Sequence, residues 1–400
     1  MTTRADAERL DAADPLARYR DEFALPEGVI YLDGNSLGPP TKRALARLTA
    51  TAEREWRDGL IRSWNDAGWI GLPKTCGAKI AGIIGADADE VLVCDSVSVN
   101  LFKLAASIIG RSGGVIAVDA DEFPTDGYIL EGLSALTGAK LVRLNAGEQP
   151  PANTRVIVKS LVHYKSASIT DMAAVESGAR AQGAAVIWDL SHAAGLIDVQ
   201  LKRHGARFAV GCGYKFLNGG PGAPAFVYVT KEEASRLSQP LSGWMGHAAP
   251  FDFAGAYRPA DGIRRFASGT PPILSMSALD AALDLYADID LRLVEAKARA
   301  LGDLFLAEAA ELELQTISPP VGSRRGGHVS LVHENGYAIV QALIARGIIG
   351  DFRAPDLMRF GFSPLFLRYA DVFDAAEALA DILKSEQWRD AQFSARRAVT

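Results

Sequence analysis

From Val91 onward, short apolar runs alternate with longer amphipathic ones, and this alternation limits the possible folds more than any other feature. It predicts strands at Val91–Cys94, Val115–Val118, Lys140–Leu144, Arg155–Val158 and Ala185–Asp189. Helices are expected between them, from Ser98 to Ile109, Thr125 to Leu136 and Asp171 to Gln182, the last stopped by Gly183. Strands this short and apolar are buried on both faces, which calls for a mostly parallel sheet between helical layers. Two further strands, Phe208–Gly211 and Ala225–Val229, extend it. The expected fold class is therefore α/β. A chain of 400 residues exceeds one small core, so a large and a smaller domain are expected.

The texture changes near Pro271. Ser275 to Ala310 reads as long helix with a break near Asp288–Asp290. Beyond it come strands at Leu312–Thr316, His328–Val332 and Leu357–Gly361, with helices from Tyr337 to Arg346 and Val372 to Lys384, an α+β pattern. Upstream, Asp14-Pro15 opens a helix through Phe23, and a second helix runs from Thr41 to Arg57, stopped by Gly59. The expected division is residues 1–60 as an N-terminal segment packing on the small domain, 61–285 as the large domain and 286–400 as the small one.

The chemistry concentrates between Ala185 and Gly222. The strand Ala185–Asp189 stops on an acid, and Lys215 follows in a turn crowded with glycine. In α/β sheets, ligands bind at the carboxyl ends of strands. A lysine that forms a Schiff base and an acid for a pyridinium nitrogen are what pyridoxal phosphate chemistry needs. Most lysines are solvated, but Tyr214 and Phe216 flank this one, and the glycines allow close approach of a ligand. An acid at a strand end can also simply cap a turn, and His192, three residues on, can be structural or orient Asp189. Cys94 to Asn100 joins strand to helix, and Ser96 and Ser98 there would make a phosphate cup or an ordinary cap. Phe123, in Phe123-Pro124-Thr125-Asp126, would lie on the cofactor ring or in the core. Trp56, Trp64 and Trp69 form either a packing cluster or a wall for a flat substrate.

Taken together, these segments resemble the kynureninase family of fold type I pyridoxal phosphate enzymes. The likeness runs over nearly the whole chain, through Tyr31-Leu32-Asp33-Gly34-Asn35-Ser36-Leu37-Gly38, Leu60 to Asn65, Val97 to Leu101, Phe123-Pro124-Thr125-Asp126, Asp189 to Ala193, Gly213-Tyr214-Lys215 and Gly243-Trp244-Met245-Gly246-His247. The resemblance implies that Lys215 carries the cofactor, that Asp189 meets its ring nitrogen beside His192, and that Tyr214 reaches the phosphate. It places Val97, Ser98, Phe123, Pro124, Thr125, Asp126 and Ser166 around the cofactor, with Trp244 and Thr270 contributed across a homodimer interface. Arg359 would hold the substrate α-carboxylate, and Trp64 and His247 the anthraniloyl group. Thr270 stands where animal members have Asn, and Lys165-Ser166 replaces the more usual Arg-Thr. The implied reaction is hydrolysis of L-kynurenine, or its 3-hydroxy form, to anthranilate or 3-hydroxyanthranilate and L-alanine. No metal is expected.

A net charge of −6 argues against general binding to nucleic acid or anionic membranes. Three cysteines without metal-type spacing fit a reducing cytoplasm. The charged N-terminus carries no apolar signal region, and no apolar run approaches a membrane span. Two rivals remain. A cysteine desulfurase needs a mobile thiol in a later loop, and the last cysteine is Cys212. A ligand-sensing regulator on the same fold would normally carry a basic DNA-binding module, which the chain does not show.

Overall fold

The computed structural model describes residues 3–110 and 113–396. The chain divides into two compact units, one of Arg43–Leu161 with Thr170–Ala287, the other of Met1–Lys42, Val162–Ile169 and Asp288–Thr400.

The first unit is built on a seven-stranded sheet. Its order is Val91–Val93, Phe226–Val229, Phe208–Gly211, Ala185–Asp189, Thr154–Ser160, Val115–Asp119 and Lys140–Leu144. The last five run parallel, and Phe226–Val229 is antiparallel to both of its neighbours. All five residues of Ala185–Asp189 are buried, which explains their unbroken apolar run. Helices Val97–Ile109 and Pro124–Thr137 pack on this sheet through Leu101, Leu104, Leu130 and Leu133. Local chemistry sets their ends. The Ser96 hydroxyl accepts from the Val99 amide at 3.3 Å, and Pro124 sits in the first turn of the next helix. Gly138 closes that helix with φ of +73°.

The parallel strands all end at one edge. Register pairs Ser160 with Asp189, and Asp189 with Val210, so the loops after these strands emerge side by side. Those loops carry Glu122–Asp126, Leu190–His192 and Cys212–Lys215.

The second unit contains a four-stranded antiparallel sheet in the order Asp351–Arg353, Leu357–Gly361, His328–Val332 and Gln315–Thr316. Ile30–Tyr31 pairs in parallel with Ile348–Ile349. The helix Leu291–Ala310 packs against Tyr369–Ser385, and so does an N-terminal helix, Arg4–Ala12.

Several elements differ from expectation. Arg4–Ala12 is helical because Thr3 and Asp6 form a reciprocal capping box. The expected helix up to Phe23 is a 3₁₀ stretch, Ala17–Glu22. The expected Thr41–Arg57 helix is α-helical over Lys42–Ala50 and π-helical over Thr51–Gly59. Residues 43–60 cluster with the large sheet rather than with the N-terminal segment. Glu55 is one tie to that unit, accepting the Trp69 indole N–H at 2.7 Å. The loop Val162–Ile169 joins the other unit through a Gly326 amide bond to the Ala167 carbonyl at 2.8 Å. The helix Leu72–Ile84 and the strands Ile30–Tyr31, Ile348–Ile349 and Asp351–Arg353 were not expected at all.

Candidate active site

In the sheet unit, the turn holding Lys215 is fixed by its own backbone. The Asn218 amide bonds the Lys215 carbonyl at 3.0 Å, and the Gly219 amide the Gly213 carbonyl at 2.8 Å. A side chain at Gly213 would meet the Pro224 carbonyl at 2.5 Å, so only glycine fits there. This turn brings the Lys215 amine within 2.9 Å of His192 Nε2. The amine also lies 6.0 Å from the centre of the Phe123 ring and 5.9 Å from that of Tyr214. Asp189 and His192, on the adjacent strand end, are both buried, and Asp189 Oδ1 accepts the Ser191 amide at 2.6 Å. Burial pushes the Tyr214 phenol up, so it is a proton donor at neutral pH.

Two further carboxyls face this group. Asp126 is buried and its Oδ2 has no hydrogen-bond partner among the described residues. Burial, then the charges of Asp189 and Glu122, push its carboxyl up to about 9, while Lys215 pulls the other way. Glu122 accepts from the Ser160 amide at 2.8 Å, the Ser160 hydroxyl at 2.7 Å and the Phe123 amide at 2.9 Å. Burial outweighs these bonds and leaves its carboxyl above the usual range. The cluster thus gathers three acids beside one amine, an arrangement short of positive charge.

That deficit is the test of whether the cofactor fits. A protonated pyridine nitrogen supplies a cation and a donor beside acids of which one, Asp126, has an oxygen without a hydrogen-bond partner among the described residues. Phe123 is 42% exposed, and its aromatic ring is of the kind that stacks on a flat heteroaromatic. Val97 and Ser98 open the helix Val97–Ile109, whose first amides lack partners within the helix and favour an anion. The residues present fit pyridoxal phosphate.

The other expected residues of this unit are dispersed around it. Pro124 and Thr125 continue from Phe123 into the first helical turn. Trp64 packs edge-on against Trp69, with ring centres 5.9 Å apart. Trp244 is 36% exposed and meets Phe251 and Phe253. Thr270 is exposed and helps to line a small cavity of about 100 Å³ with Cys94, Asp95 and Ser268. His247 is buried, its Nδ1 held by the Ala249 amide at 3.0 Å, and its Nε2 has no partner among the described residues.

In the second unit, Arg359 is 2% exposed and clamped. Its Nε and Nη2 donate to the two Asp351 oxygens at 2.9 and 2.6 Å. Nη1 donates to the Tyr164 carbonyl at 2.7 Å and Nη2 to the Ser36 hydroxyl at 2.8 Å. Asp351 and Arg359 are cross-strand partners, so the sheet register itself sets this fork. Burial raises the Asp351 carboxyl, but Arg359 and Arg353 outweigh it and hold it below the ordinary range. Asp33, half-buried beside it, is pushed up to about 7 by desolvation and by Asp351. Ser166 sits in a local turn, its hydroxyl 3.0 Å from both His163 Nδ1 and Ser168 Oγ.

Comparison with known proteins decides the family. Residues 294–379, which include Arg359, match the family described as the kynureninase C-terminal domain. A kynureninase of Burkholderia mallei is 46% identical over the full length of both chains. One of Pseudomonas fluorescens is 44% identical over the same extent. The chain belongs to the kynureninase family. Among solved structures, a cysteine desulfurase of Escherichia coli superposes with a TM-score of 0.78 at 19% identity, covering 92% of this chain and 98% of that one. A cysteine desulfurase of Thermococcus onnurineus gives the same score, identity and coverage. These likenesses establish the fold, α/β with a mostly parallel central sheet.

The chain shares the desulfurase fold, but its thiols are not set up as nucleophiles. Cys76, Cys94 and Cys212 are all buried. Burial raises every one of their thiols, that of Cys94 to about 12, so none is a ready nucleophile. Among the described residues, no helix is long and apolar enough to cross a membrane. Sequence reasoning missed Glu122 in the sheet unit, and Asp351 and Ser36 as partners of Arg359 in the second unit. Glu122 left a trace as an acid directly before Phe123, and Ser36 lies in the Tyr31–Gly38 segment, whereas Asp351 left none.

Proposed function

We propose that this chain hydrolyses L-kynurenine to anthranilate and L-alanine with pyridoxal phosphate held on Lys215. The observation that carries this reading is the meeting of the Lys215 amine with His192, at 2.9 Å, at the sheet edge where Asp189 ends its strand. Family membership over the full length supports the substrate. When bound, the cofactor supplies an electron sink for bonds at the substrate Cα and Cβ.

The chain's own residues do the rest. Lys215 would hold the cofactor and, with its amine released, would serve as the base for the substrate Cα proton. His192 accepts or donates a proton at Nε2 and holds the amine in place. Asp189 keeps the ring nitrogen protonated, with Asp126 as a second acid in the same pocket. Phe123 stacks on the ring, and Val97 and Ser98 bind the phosphate with Tyr214. Trp244 and Thr270 complete the phosphate site from the partner of a homodimer. Arg359 takes the α-carboxylate, Ser166 assists at the cofactor, and Trp64 and His247 receive the aromatic ring and carbonyl. The enzyme works in the cytoplasm, in tryptophan breakdown or in supply of the NAD precursor.

The test is the spectrum and fluorescence of the pure, cofactor-loaded protein before and after L-kynurenine. Anthranilate fluorescence should grow with turnover. A loaded protein that stays inert toward both kynurenine and 3-hydroxykynurenine, or that instead releases sulfide from cysteine, overturns the reading.

A further inference from the structure

Lys103 takes no part in the chemistry above, yet its side chain is fully buried. A buried ammonium costs several kcal/mol unless its surroundings compensate. Here its Nζ forms an ion pair with Asp95 and donates to the Phe266 carbonyl at 2.6 Å. Such a pair is no better for stability than a well-packed apolar isostere, so stability alone does not account for it.

Its partners do. Asp95 lies in the turn Cys94-Asp95-Ser96, with a left-handed φ of +49° that a non-glycine residue adopts at a cost. The turn is otherwise held by backbone bonds to Ala225, at 2.8 and 2.9 Å, and by Asn100 Nδ2 on the Cys94 carbonyl at 2.8 Å. Ser96 then caps the helix Val97–Ile109, and Lys103 sits on that same helix nearly two turns on. Phe266 ends the 3₁₀ segment Gly262–Phe266, just ahead of Ala267–Thr270. One amine therefore ties together the helix, the turn that starts it and the segment that carries Thr270.

We propose that Lys103 is a positioning residue for cofactor phosphate recognition: through Asp95 and the Phe266 carbonyl it fixes the turn that aims the first amides of the helix Val97–Ile109. The proposal rests on the assignment of Val97 and Ser98 to the phosphate. The ammonium itself is enclosed and does not touch the anion; it acts by holding Asp95 in its left-handed conformation.

The experiment compares affinities of the apo-protein for pyridoxal phosphate and for pyridoxal, which lacks the phosphate, by spectroscopic titration. The ratio of the two measures phosphate recognition alone. The double variant Lys103→Met/Asp95→Asn removes both charges and leaves no buried ion unpaired. Its thermal midpoint should stay near that of the parent, its affinity for pyridoxal should hold, and the ratio should fall about tenfold. Asp95→Asn alone, at a partly exposed side chain, should lower the ratio in the same direction and covers the case in which the double variant misfolds. Ser98→Ala is the control. If Ser98→Ala leaves the ratio unchanged, the phosphate assignment itself is wrong. If Ser98→Ala lowers it while both Asp95 variants keep the parent ratio, the positioning role of Lys103 is wrong. Equal losses for both ligands would mark Lys103 as structural only and would also overturn the proposal.

Discussion

Replacing Asp351 by alanine removes a buried carboxylate that pairs with both Arg359 and Arg353, and makes a signed, pH-dependent prediction. In the parent, Asp351 accepts two donors from Arg359 and one from the Ser36 hydroxyl, at 2.6 to 2.9 Å. Asp351→Ala strands a guanidinium that is 2% exposed, with Tyr164 and Ser36 as its remaining partners. Breaking a buried pair from one side costs about 3–5 kcal/mol. At about 2.1 cal/mol/K per residue near 60 °C, a unit of roughly 160 residues converts that into a fall of about 10–15 °C in its thermal midpoint.

Asp33 makes the size depend on pH. Its carboxyl is raised to about 7 by burial and by the Asp351 charge, while Arg359 and Arg353 pull it down. In the parent, the stability linked to Asp33 is full below its unfolded value of 3.8 and is lost as pH rises through about 7. Without Asp351 the repulsion is gone, so Asp33 ionises more readily and serves the two arginines. The Asp351→Ala deficit should therefore be largest near pH 5.5, where Asp33 stays protonated for more of the population, and should shrink by pH 8.5. Scanning fluorimetry of parent, Asp351→Ala and Asp351→Ala/Asp33→Asn at both pH values reads this directly. Measured against Asp33→Asn instead of the parent, the deficit of the double variant should be the same at both pH values. A deficit under about 3 °C, or one that grows with pH, refutes the reasoning.

Two further outcomes follow from the sheet-edge pocket. Asp126 is raised to about 9, so its contribution to the apo-fold is full below 3.8 and declines as pH rises toward 9. Asp126→Asn should thus gain thermal stability relative to the parent apo-protein between pH 5 and pH 8; a difference that is flat or reversed over that range contradicts the assignment. All three cysteines are buried with raised thiols, so the native protein should show no fast reaction with an aromatic disulfide reagent and three reactive thiols in denaturant. One stoichiometric fast thiol would reopen the desulfurase reading.

What was legible in the sequence was what local pattern determines. The strands of the parallel sheet show as apolar runs because both of their faces are covered, and Ala185–Asp189 keeps the boundaries expected of it. The acid at its end and the lysine in the glycine turn were legible for the same reason, since strand ends and tight turns mark where ligands approach. What was hidden depends on contacts distant in sequence. Leu72–Ile84 contains Pro73, Gly77 and Gly82, and reads poorly as helix. In the fold, Gly77 lets the helix touch the sheet, where a side chain would lie 2.2 Å from the Val91 carbonyl. Arg4–Ala12 is polar nearly all round, and its capping box and the Arg4–Asp374 ion pair hold it. The two-residue pairing of Ile30–Tyr31 with Ile348–Ile349 is too short for any periodicity to show. In the site, Arg359 was named without Asp351, because a cross-strand pair is set by register rather than by spacing along the chain. Lys103 was hidden by its neighbours, one lysine within a helix of otherwise apolar and small residues.

The chemistry depends on where the cofactor is attached. Borohydride reduction of the loaded protein, followed by proteolysis and mass measurement of the peptides, answers this directly. The predicted result is a single pyridoxyl phosphate adduct on Lys215, absent from Lys215→Ala, which should also lose turnover and the cofactor's absorbance band. An adduct on any other lysine of the native protein, or turnover of kynurenine at the parental rate by Lys215→Ala, would contradict it.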